Sequence, residues 1–138
     1  MASVEKVEGA TALEKSLGAS RAVRVGQHVF VSGQMALDEA GTVVHEGALG
    51  AQFKRALETL VEVVEAAGGT RDDVVATHMF LTRYPNEDDF GQICDAHRNT
   101  FSGTNRPTGT MVYVPRLPVE GALVEITGVA VIGEPSKA

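Results

Sequence analysis

The chain has one cysteine, Cys94, in 138 residues. An internal disulfide is therefore excluded, and the expected compartment is the reducing cytoplasm. No run of 18 apolar residues occurs, so no membrane span is expected. Residues 1–16 hold no apolar stretch suited to a secretory signal. Basic residues are few and scattered: 12 Lys and Arg stand against 18 Asp and Glu, for a net charge of −6 and a pI of about 5.1. A nucleic-acid partner needs a basic face, so none is expected. The four histidines (His28, His45, His78, His97) have no metal-ligand spacing with one another or with Cys94. No metal site is expected.

What is present describes one globular domain, residues 1–138, long enough for a real core. The hydrophobic fraction is 43% and the charged fraction 22%, both ordinary. Residues 1–18 are small, mixed and polar, and are expected as a loosely ordered lead-in. Arg21 to Val25 and Gln27 to Gln34 read as two strands around a Gly26-Gln27 turn. Val43-Val44 would extend a strand after the Asp38–Thr42 turn. Gly47 to Ala67 is the clearest helix, because Leu49, Phe53, Leu57, Leu60 and Val64 recur at three- and four-residue steps. Gly68-Gly69 ends it. Val74 to Thr82 reads as a strand. Asn86 then suits the N-cap of a second helix running to about Phe101, with the apolar stripe Phe90, Ile93, Cys94, His97 and Phe101. Strands over Thr110–Val114 and Leu123–Ile132 complete the order ββ-α-β-α-ββ, an α+β fold. Two helices cover one face of such a sheet. The other face is also apolar, so the chain is expected to bury it against copies of itself.

The most informative residue is Glu125. In Ala122–Ile132 it is the only charge, among residues that are apolar at both parities. Both faces of that strand read as buried. An ionised carboxylate there requires a partner, a polar cleft or a raised pKa, any of which suits site chemistry. The plainer alternative places Glu125 at a strand end with its head in water. Cys94 and His97 are three apart on one helix face, which allows a thiolate–imidazolium pair. That face is also the apolar stripe, and packing is the simpler role for both.

Three segments carry a likeness to a known family. They are Val25–Gln34, with Val31-Ser32-Gly33-Gln34; Asp72-Asp73-Val74-Val75; and Arg106-Pro107-Thr108-Gly109-Thr110-Met111-Val112, with Arg116-Leu117-Pro118 and Val124-Glu125-Ile126. Together they resemble the reactive-intermediate deaminase (Rid, YjgF-type) family over residues 18–132. The resemblance implies a chorismate-mutase-like ββαβαββ domain, with two helices on one face of a mixed sheet. It implies a homotrimer whose strands line a central barrel, with ligand clefts between subunits. It also implies hydrolysis of enamines and imines to a 2-keto acid and ammonia, without a cofactor.

Carried over residue by residue, Glu125 corresponds to the acid that handles the attacking water. Ser32, Gly33 and the backbone at Thr110-Met111 correspond to ligand-binding positions. Cys94 stands where the family has a cleft asparagine, and Ala19 near a cleft tyrosine. The family arginine, two residues after the loop proline, is Gly109 here, so the chain resembles arginine-lacking branches. Arg106, Arg21 and Arg24 are candidate substitutes for binding an anion. Arg116 reads as structural, and His78 as a satisfied or interfacial histidine. The functional expectation is a small-molecule enzyme acting on a reactive imine or enamine other than a simple 2-imino acid. The alternative is a metabolite-binding or regulatory trimer without turnover.

Overall fold

The computed structural model describes residues 3–103 and 105–133. Ten elements follow in order: β1 (Val4–Val7), α1 (Ala12–Leu17), β2 (Ala22–Val25), β3 (His28–Gln34), α2 (Leu49–Ala66), a single 3-10 turn (Arg71–Asp73), β4 (Val74–Leu81), α3 (Glu87–Thr100), β5 (Thr108–Tyr113) and β6 (Val124–Val131). The strands form one sheet in the order β1-β2-β3-β6-β4-β5. Only β4 and β5 run parallel, joined through α3; all other pairs are antiparallel. The mixed α+β reading therefore holds, with one strand and one helix more than the sequence pattern predicts.

Those extra elements correct the expectation for residues 1–18. The segment is not a loose lead-in; it contains β1 and α1. β1 pairs with β2 as an edge strand, Val7 opposite Ala22. α1 opens on a reciprocal cap: Thr11 accepts from the Glu14 backbone N–H, and the Glu14 side chain accepts from Thr11 N–H. Val43-Val44 does not extend a strand; Val43 makes an isolated bridge with Leu37.

The long helices form where periodicity places them. Leu49, Phe53, Leu57, Leu60 and Val64 of α2 are all buried. At its end Gly68 has a φ of 96°, a left-handed conformation that glycine adopts without strain. Asn86 caps α3, its side chain accepting from Asp89 N–H at 2.7 Å. Asp89 in turn accepts from Gly50 N–H of α2, tying the helices together. The stripe of α3 is less buried than expected: Ile93 is enclosed, but Phe90 is 50% exposed. No helix among the described residues is long and apolar enough to cross a membrane.

The central strand β6 lies between β3 and β4. Val124, Ile126 and Ala130 on one side are buried against α2 and the core. Glu125, Thr127, Val129 and Val131 point to the other side and are half-buried. No helix among the described residues lies over that second face. Phe30, opposite Val129, is 49% exposed there, and Val112, in register with Phe80, is 40% exposed.

Candidate functional site

Glu125 sits on this open face beside a bulge. Val31 pairs with Gly128 and Gln34 with Ile126, so Ser32 and Gly33 together oppose Thr127. The bulge makes room for the acid. A Cβ added at Gly33 would lie 2.5 Å from Glu125 Cδ and 2.9 Å from its Oε1. On the other side Glu125 is paired across strands with Phe80. No hydrogen bond or ion pair reaches its carboxylate among the described residues. Burial without a compensating partner raises its pKa above the ordinary value of 4.5. The carboxylate thus has a free lone-pair set, a tendency to hold a proton, and an open side.

The other expected site residues divide between two places. Ser32 and Thr110 fall on the Glu125 side. Ser32 donates its hydroxyl proton to Ser20 O at 2.7 Å, which leaves its oxygen free to accept. Ala19, next to Ser20, is half-buried and held by its N–H on Glu14 O. Thr110 is in register with His78, whose other neighbour is Thr127. Cys94, Arg106, Gly109 and Met111 lie instead on the helix side, lining a cavity of about 550 Å³ between α3 and β5. Within one chain the sheet separates this cavity from Glu125.

Two other candidate arginines have structural duties. Arg24 donates to Ala67 O at the end of α2 and to Gly26 O. Arg21 pairs with Glu14 at 3.3 Å. Cys94 and His97 both line the cavity, but the imidazole's polar contact is with Thr77: His97 Nε2 and Thr77 Oγ1 are 2.9 Å apart. Burial lowers the pKa of His97, so it is neutral at pH 7 and supplies no imidazolium to Cys94. Its ring meets Phe101 edge-on at 4.9 Å. Met79, Arg98 and Thr77 were not singled out by sequence reasoning. Met79 and Thr77 share one parity of β4, and that shared face was the available signal.

An α+β protein with two helices packed on one sheet face, a carboxylate on the other and an apolar cavity at the β5 edge is the class these elements define. Residues 10–132 match the family described as Endoribonuclease L-PSP, and the chain belongs to that family, the YjgF/Rid family. It is similar to 2-iminobutanoate/2-iminopropanoate deaminase of Rattus norvegicus, 32% identical over 131 residues, 94% of this chain and 92% of the relative. It is also similar to a RutC family protein of Pyrococcus abyssi, 33% identical over 112 residues, 80% of this chain and 84% of the relative. Among solved structures it resembles Rv2704 of Mycobacterium tuberculosis, a member of the YjgF/YER057c/UK114 family. The TM-score is 0.78 at 30% identity, covering 94% of this chain and 100% of that one.

Proposed function

We propose that this chain hydrolyses a reactive imine or enamine in a cleft between copies of itself. The observation that carries the reading is Glu125: a half-buried acid with a raised pKa, no hydrogen-bond or ion-pair partner among the described residues, and a glycine opposite that leaves space for it. Such a carboxylate is suited to pass a proton between water and substrate. As water attacks the imine carbon, Glu125 takes one of its protons and passes it to the nitrogen, giving the carbinolamine. Glu125 then takes the hydroxyl proton and passes it to the same nitrogen; the C–N bond breaks, ammonia leaves and a carbonyl remains. One water is consumed and the acid is regenerated, so no cofactor is required.

The cleft completes the site in this reading. Glu125 with Gly33 and Ser32 lies on one side of the sheet, and Cys94, Arg106, Gly109 and Met111 on the other. A second copy against the open face would bring one group to the other near the edge strand β5. Three copies closing in this way give a trimeric barrel of the chorismate-mutase-like kind. The rat relative's name supports the chemistry. Gly109 bears no guanidinium, so small 2-imino acids are not the preferred substrates. RNA cleavage, which the family's description names, fits poorly with a net charge of −6.

The test is a panel of imines generated in situ by an amino-acid oxidase, with decay followed with and without the protein. At least one should decay faster with it, and 2-iminobutanoate should be among the slowest. E125Q should lower the acceleration by about 100-fold or more. Because Glu125 must be ionised to accept a proton, kcat/KM should rise with pH through a midpoint above 4.5, and this dependence should vanish in E125Q. If every imine decays at its uncatalysed rate, the enzyme reading is wrong; stable 2-keto acids that still bind would then make the chain a metabolite-binding module.

A further inference from the structure

The cavity between α3 and β5 has a chemical character of its own. Its walls are mainly Met79, Phe90, Ile93, Phe101, Pro107 and Met111, with Cys94 and the neutral His97 among them. Among the described residues no carboxylate lines it. Three other surface cavities each carry at least one: Glu14 and Glu62 in the first, Glu58 and Asp95 in the second, Glu120 in the third. In an acidic chain, a cavity free of acids and flanked by two arginines favours an anion. Of the two, Arg98 pairs with Asp95. Arg106 is exposed in the loop before β5 and has no ion pair among the described residues.

The cavity is open at the surface and similar in volume to the others, so its apolar lining distinguishes it. Its size shows only that it has room beyond a small substrate. At roughly 30 Å³ per water-sized group, a six-atom imino acid occupies about 180 Å³. The cavity holds about 550 Å³. Part of that space is open because Gly109 has no side chain. A Cβ there would meet Met79 Cε at 3.3 Å and Thr77 Oγ1 at 3.7 Å, the nearer contact being the end of a flexible chain. A small substrate would leave most of the apolar wall wet, whereas a large apolar group would cover it.

We propose that this cavity takes an aromatic or branched apolar side chain of the substrate, while Arg106 holds the substrate's carboxylate at the rim. The substrate class is then imines or enamines of amino acids with large apolar side chains. This deepens the preceding reading and rests on it for the chemistry, but the binding claim stands on the cavity alone.

Calorimetric titration of the full chain with phenylpyruvate, pyruvate and phenylacetone tests it. Phenylpyruvate should bind at least tenfold more tightly than either of the others. R106Q should weaken phenylpyruvate about tenfold and leave phenylacetone unchanged. G109R should reverse the order of phenylpyruvate and pyruvate by filling the cavity with a guanidinium. R106Q alters an exposed loop residue, so the test survives if G109R does not fold. Pyruvate binding as well as phenylpyruvate, phenylpyruvate indifferent to R106Q, or no binding at all would each overturn the proposal. The expected binding pattern without imine hydrolysis would support this proposal and remove only the enzyme reading.

Discussion

At the scale of single residues, the contact between Gly33 and Glu125 decides the geometry of the candidate site. The carboxyl carbon occupies space that any side chain at position 33 would need. G33A must therefore either push the carboxyl away or open the β3–β6 bulge, and overpacking of this kind costs about 1–3 kcal/mol. Chemical denaturation should show that loss in G33A. E125A alone should not lose as much, and the double variant G33A/E125A should recover most of it, because the two effects are one contact. A G33A protein as stable as the parent would mean that the acid does not sit over the glycine. Glu125 itself was visible in the sequence as a lone charge in an apolar strand. The role of Gly33 was not: the family likeness marks it only as a ligand-binding position, and it takes the cross-strand register, with two residues opposite Thr127, to reveal the bulge.

At the scale of elements, legibility followed length. α2, with 18 residues, and α3, with 14, repeat their apolar positions often enough for the period to show. α1 has six residues, fewer than two turns, and no period can emerge from them. Its only signal was Thr11-x-x-Glu14, the reciprocal cap. Glu14 does more than cap. Burial alone would raise its pKa, but hydrogen bonds from Thr11 and Ala10 N–H, the Arg21 guanidinium and the Gln34 amide outweigh that, and the pKa falls below 4.5. A lowered carboxylate pKa contributes stability above the unfolded value, and that contribution is lost as pH falls through the folded one. E14Q should thus cost about 1–3 kcal/mol at neutral pH. The gap to the parent should narrow as pH drops below 4.5. Thermal melts of both proteins across that range would show it; a gap constant with pH would mean that the charge of Glu14 is not what anchors the segment. The division of the site between two faces was also hidden in the sequence. Gly109 and Thr110 are adjacent in the chain, yet β5 turns one toward α3 and the other toward the open face.

At the scale of the whole molecule, the sheet has one covered face and one uncovered face. β6 is the strand most enclosed by its neighbours, and its Val129 lies in one row with Phe30 and Ala76 on the uncovered side. Phe30 and Val112 are exposed on this face and Val129 and Ala76 half-buried, a gathering of apolar groups that suits an association surface. Burying a few hundred Å² of it per chain, at roughly 25 cal/mol per Å², supplies several kcal/mol toward assembly. In the assembly proposed above, a partner would complete the enclosure of Glu125 and supply polar groups that the described residues of its own chain do not. Assembly and activity should therefore fail together. In V129K a charge stands at the centre of the face, where the side chain has no core of its own to disrupt. The parent should sediment as a trimer and V129K as a monomer with an unchanged far-ultraviolet circular dichroism spectrum. The imine hydrolysis of V129K should drop to the level of E125Q although Glu125 is intact. A parent that sediments as a monomer at every concentration, or a monomeric V129K with full activity, would show instead that one chain carries the whole site, and that the apolar face has another purpose.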